Sequence, residues 1–169
     1  MIETLSLPPS EDDLRGLATL LIDAVDAGAS VGFVAPLTIE EARAWWQRRL
    51  ANDDPRFVVL VARDDDGIIG TVQLIPAAMP NQPHRGDISK LLVHRRARGR
   101  GVGKALMRAI EARARENGID LLVLDTKRGD AAETLYRRDG WTEVGVIPRY
   151  ALNPDGSECD TVVFFKDLS

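Results

Sequence analysis

Arg98-Gly99-Arg100-Gly101-Val102-Gly103 lies between a strand-like apolar run, Ile88 to His94, and an amphipathic helix that begins near Val102. At such a junction glycines let the backbone approach a diphosphate closely, the first helical N–H groups have no internal partner, and the helix dipole adds roughly half a positive charge. Arg98, Arg100 and Lys104 add to the positive field. A Gly-rich turn with solvated arginines is the alternative that the stretch alone leaves open. Two widespread phosphate loops do not fit it. A Walker loop needs Gly where Arg98 stands and Ser or Thr where Ala105 stands, and a dinucleotide fingerprint needs its third glycine where Lys104 stands.

The chain around this stretch bounds the reading. Its 169 residues fit one domain, 1–169, large enough to bury roughly two-thirds of its unfolded surface. A net charge of −4 argues against nucleic acid as the main partner, so the basic island from Arg95 to Lys104 suits a small polyanion. Cys159 is alone, which excludes an internal disulfide, and Met1 to Pro8 lacks the pattern of a signal peptide. A cytoplasmic enzyme without a membrane span, metal or nucleic-acid partner is the expectation, with a second copy of the chain as a candidate partner. His84 and His94 are the only imidazoles, which excludes a dense histidine metal site, and both read as loop or supporting residues.

Periodicity supplies the elements. Ile2 to Leu7 reads as a first strand, Ser10 opens a helix with Leu14, Leu17, Leu21 and Val25 inward, and Thr38 with Glu41 forms a capping box before a second helix carrying Trp45 and Trp46. The tryptophans read as helix packing. Phe57 to Ala62, Ile68 to Ile75 and Asp87 to Val93 read as strands in two antiparallel hairpins. After the Arg/Gly loop come a helix with Val102, Leu106, Ala109 and Ile110 inward, a short strand, Leu121 to Leu124, and a helix opened by Asp130 and Glu133. Trp141 to Ile147 and Thr161 to Phe165 close the chain as a strand pair. The order is β-α-α-β-β-β-α-β-α-β-β, an α/β (α+β) class with a mixed central sheet flanked by helices and one parallel βαβ unit.

Arg-x-x-Gly-x-Gly after a strand resembles the pyrophosphate loop of the GCN5-related N-acetyltransferases (GNAT), and the element order is that family's layout. Leu124 to Thr126, Ala132 to Tyr136 and Gly140-Trp141 look like its landmarks. The ending, Val144 to Tyr150 with Asn-Pro-Asp-Gly and Phe-Phe-Lys, is similar to a branch that includes the tabtoxin-resistance acetyltransferases. Many members carry Asn seven residues before the tyrosine as a coenzyme contact, where this chain has Gly129.

The resemblance implies direct attack of a primary amine on the thioester of acetyl-coenzyme A. Arg98, Gly99, Arg100, Gly101, Val102, Gly103 and Lys104 would hold the diphosphate. Leu91, Leu92 and Val93 would offer their backbones to the pantetheine amides, at the edge where a parallel strand pair splays apart, with an N–H near Leu92 facing the thioester oxygen. The same three residues also read as core packing. Tyr136 would donate to the departing sulfur; its other reading is a helical tyrosine packed on Ala132, its hydroxyl on a backbone carbonyl. Neutralising a lysine-type amine at pH 7 costs about 4 to 5 kcal/mol and an α-amine about 1 to 1.5, so a base matters more for the former. Asp125 is the candidate base, with Asp87 in reserve or water in its place; Asp125 also reads as a turn cap or a partner of Lys127 or Arg128. The resemblance places acceptor entry at Gly28 to Leu37, Trp45, Met79 to Arg85 and Tyr150, for a small-molecule amine, such as an amino-acid-like one, or a protein N-terminus. A non-catalytic acyl-coenzyme A sensor and a nucleotide-binding protein are the rivals.

Overall fold

Ser10 and Thr38 open the first two helices, each accepting from the N–H three residues on while Asp13 and Glu41 bond back to the cap. These local devices fix where α1 (Glu11–Asp26) and α2 (Ile39–Leu50) begin. The computed structural model describes residues 1–169. The remaining elements are β1 (Ile2–Thr4), β2 (Val58–Asp64), β3 (Gly67–Pro76), β4 (Arg85–Val93), a 3-10 turn at Arg95–Ala97, α3 (Val102–Glu116), β5 (Leu121–Lys127), α4 (Ala131–Arg138), β6 (Thr142–Leu152) and β7 (Glu158–Asp167).

The strands form one seven-stranded sheet in the order β1-β2-β3-β4-β5-β7-β6. All neighbours are antiparallel except β4 and β5. That mixed sheet, and the order of elements, are those expected. Both faces are covered, which is why β2 is apolar at successive positions rather than alternating. Val58, Leu60 and Ala62 join Leu106, Met107 and Ile110 of α3 in one core, while Val59 and Val61 join Leu17, Leu21 and Trp46 in the other. A buried ion pair ties the α3 layer together. Lys166 Nζ of β7 meets both Glu111 oxygens at 2.8 and 2.9 Å and donates to the Asp139 carbonyl at 2.8 Å.

The parallel register runs only through Arg85–Leu121, Gly86–Leu122 and Asp87–Val123. Beyond it β4 stays with β3 and β5 with β7, so the sheet opens into a wedge. Within the opened part β4 carries a bulge, Lys90 and Leu91 standing opposite the single Val72, with Lys90 at φ 52°.

β1 stops at Thr4, short of the expected Leu7, and three strands extend three or more residues beyond the expected bounds. β5 continues to Lys127, β6 starts one residue later and runs to Leu152, and β7 spans Glu158 to Asp167, because partner strands supply ladder bonds to polar residues whose own pattern is not strand-like. Asp125 therefore lies inside β5, opposite Val163, and not at its end. The opening of α4 also differs: Asp130 makes no side-chain cap, and Glu133 accepts instead from the Gly129 N–H at 2.6 Å.

Candidate active site

Gly99 and Gly101 adopt φ of 74° and 80°, left-handed values that a side chain would strain, and open space surrounds both Cα atoms. Gly101 is the N-cap of α3 and offers no side chain, so the first N–H groups of this helix have no side-chain cap, unlike those of α1 and α2. The dipole and these donors face a cleft of about 710 Å³ that fills the wedge between β4 and β5.

The loop is held from behind by acids. Asp23, 7% exposed on α1, accepts the Arg95 N–H at 3.0 Å and bonds the Arg95 guanidinium, with Arg98 at 3.8 Å and His94 at 3.7 Å. Arg96 clasps Asp64 and Asp66 of the β2–β3 turn, and Arg98 Nε donates to the Val93 carbonyl at 3.1 Å. Lys104 lies 3.3 Å from Asp139. The arginines thus anchor the loop as much as they charge it, a partner set more than seventy positions away in sequence for Asp23 and Arg95. Asp23→Asn removes that charge and is expected to weaken coenzyme A binding about tenfold, roughly 1.4 kcal/mol, in calorimetric titration. Unchanged affinity would show that the latch does not order the loop.

The cleft collects most of the residues singled out in the sequence. Leu91, Leu92 and Val93 form its β4 wall while also packing on the cores, and Arg98, Gly99, Gly101, Val102, Gly103 and Lys104 form its mouth. Arg100 stands outside the lining. Asp87 is also outside it, in the closed part of the β4–β5 pair, with its carboxylate on Arg85 at 2.8 Å. Gly129 does not line the cleft.

Tyr136 and Asp125 both line it. Tyr136 is 4% exposed, its ring packed between Trp141 and Phe164, and burial pushes its phenol well above the ordinary range, with the Asp125 carboxylate adding to the shift. No backbone carbonyl takes its hydroxyl. The phenol therefore stays protonated near neutral pH and is able to donate a hydrogen bond. Asp125 pairs with neither Lys127 nor Arg128: its Oδ2 accepts from Thr161 Oγ1 at 3.0 Å, and Arg128 turns to Asp160.

Of the segments assigned to acceptor entry, Ala29 to Gly32 and Tyr150 line the cleft, while Gly28, Phe33 to Leu37, Trp45 and Met79 to Arg85 do not. Trp46 is fully buried, as helix packing requires, and Trp45 stacks edge-on against Phe33 at 5.5 Å. Lys90 and Thr161 are cleft residues that the sequence reading passed over. A lysine inside the apolar run Ile88 to Val93 was the available signal for the first; the second is brought in by β7 pairing alone.

The comparisons agree with this geometry. A model described as the Acetyltransferase (GNAT) family matches residues 22–141. An uncharacterized N-acetyltransferase from Azospirillum brasilense is 34% identical over 117 residues, 68% of this chain and 68% of that protein. An L-methionine sulfoximine/L-methionine sulfone acetyltransferase from Pseudomonas aeruginosa is 29% identical over 139 residues, 81% of this chain and 79% of that one. Among solved structures, a phosphinothricin acetyltransferase from Sinorhizobium meliloti in complex with acetyl-CoA shares the fold with a TM-score of 0.81 at 19% identity, over 100% of this chain and 88% of its own. With its uncapped α3, splayed strands and matching family model, the chain belongs to the GNAT family of acetyltransferases and is an acyl-coenzyme A-dependent N-acetyltransferase.

Proposed function

We propose that the protein moves an acetyl group from acetyl-coenzyme A to the primary amine of a small molecule, by direct attack within a ternary complex. The observation that carries this reading is the single cleft that joins the uncapped α3 terminus to Tyr136 and Asp125. Backbone N–H groups from Gly99 to Lys104 receive the diphosphate. The free edge of β4 at Leu91 to Val93 receives the pantetheine amides as an added strand, and a main-chain N–H near Leu92 stabilises the developing oxyanion. A small acceptor is supported by the name of the Pseudomonas relative.

The amine nitrogen bonds the thioester carbon, the carbon–sulfur bond breaks, and the electron pair leaves on sulfur. Asp125 takes the ammonium proton that leaves the amine free to attack and sheds it to water, and the proton that nitrogen loses once it is acylated passes by way of the Tyr136 hydroxyl to that sulfur.

The test is thiol release from acetyl-coenzyme A across a panel of amines. Turnover with at least one small amine is expected; coenzyme binding without turnover on a broad panel would favour a sensor. Asp125→Asn is expected to lower kcat/KM by about 10²-fold, more for lysine-type amines than for α-amines, and to alter the pH profile with the best acceptor. An unchanged profile would remove Asp125 as the base.

A further inference from the structure

Lys90 is a cation that the fold covers and leaves without an acid. It occupies the β4 bulge at φ 52°, a left-handed conformation rarely taken by a residue with a side chain. Its side chain runs beneath the α1–α2 loop, where Nζ donates to the Val31 carbonyl at 2.9 Å and stands 5.0 Å from the centre of the Trp45 ring. No carboxylate comes within ion-pair distance of it; Asp125 acts on it only at longer range. Burial holds its ammonium below the ordinary lysine range, and the Arg49 guanidinium pushes the same way.

Arg49, on α2, is itself partly buried and without an acid. Its Nε donates to Gln73 Oε1 at 3.1 Å, and the Nε2 of Gln73, a fully buried residue, has no partner. Partly buried cations are normally paired, and two that repel each other are costlier still. Lys90 nonetheless lines the same cleft as Asp125, beside Ser30 to Gly32. The Val31 carbonyl takes one of the three ammonium donors, which leaves others for a ligand.

We propose that Lys90 binds a carboxylate of the acceptor, with Arg49 reinforcing the positive field behind it, so that the site prefers amines bearing an anionic group, α-amino acids and their analogues, over simple amines. A zwitterion matches the bipolar wall: Asp125 meets the ammonium end and Lys90 the carboxylate. Lys90 is a specificity determinant in this scheme. The inference rests on the acetyl-transfer reading above and narrows its substrate class.

The experiment compares thiol release for α-amino acids and their carboxamides, using the unaltered protein and then Lys90→Gln and Lys90→Arg. Carboxamides carry the less basic amine, more of which is unprotonated near neutral pH, so without carboxylate recognition they are turned over at least as well as the acids. The expected result is a kcat/KM ratio of acid to carboxamide above about tenfold, collapsing toward one in Lys90→Gln, mainly through KM, and largely kept in Lys90→Arg. Turnover that favours carboxamides, or a ratio that survives Lys90→Gln, would overturn the assignment. Absence of turnover with every amine would refute the acetyl-transfer reading instead. Calorimetry of the same acid and carboxamide pairs on the coenzyme A complex then decides the role of Lys90: preference for the acid supports it, and no preference overturns it.

Discussion

Replacing Tyr136 with Phe is expected to lower kcat by roughly 10²- to 10³-fold while leaving acetyl-coenzyme A affinity within about twofold. The hydroxyl faces the cleft and bonds no protein group, so its loss breaks nothing in the fold, and the ring keeps its packing against Trp141 and Phe164. Its chemistry requires a proton, which burial secures by holding the phenol protonated. A thiolate has a pKa of roughly 8.5, below that of the phenol, so the hydroxyl acts first as a hydrogen-bond donor and gives up its proton only as another returns. Steady-state kinetics paired with calorimetry separates the two effects. A Phe variant with full kcat would exclude Tyr136 as the donor to sulfur.

The largest expected loss of stability follows Glu111→Ala. The carboxylate is 7% exposed and makes two bonds to Lys166, whose ammonium also serves the Asp139 carbonyl at the end of α4 and lies 6.0 Å from the Trp141 ring centre. Removing one partner strands the other, at a cost of about 3–5 kcal/mol. For a chain of this size that lowers Tm by roughly 6–20 °C. Replacing both, as Glu111→Leu with Lys166→Met, is expected to recover most of the loss, because a shape-matched apolar pair needs no compensation. Thermal unfolding of the three variants checks this; an unaltered Tm for Glu111→Ala would mean that water replaces the lost acid.

The parts of this protein legible in its sequence are those decided within a few residues. Ser10 at the head of α1, Thr38 with Glu41, the apolar stripes of α1 and α3 and the helix start at Val102 are local devices, and each stands as read. The resemblance added Tyr136 and Asp125, and the fold brings both to the same cleft as the Arg/Gly loop. What escaped is made by distant pairing. The latch of Asp23 onto the loop joins α1 to a segment far along the chain. Thr161 reaches Asp125 only through β7, and the lengths of β6 and β7 come from each other. The bulge that turns Lys90 under the α1–α2 loop depends on its register against Val72. Asp130 looked like the cap of α4, yet a glutamate one turn on takes a neighbouring N–H instead.

The role of the α3 terminus decides the rest, since without a grip on the diphosphate neither Tyr136 nor Asp125 has a thioester to act on. A crystal structure of the complex with acetyl-coenzyme A is the direct measurement. The phosphate oxygens are expected within about 3 Å of main-chain nitrogens between Gly99 and Lys104, with the pantetheine arm along Leu91 to Val93. Phosphates bound elsewhere, with the amides of that loop facing solvent, would contradict it.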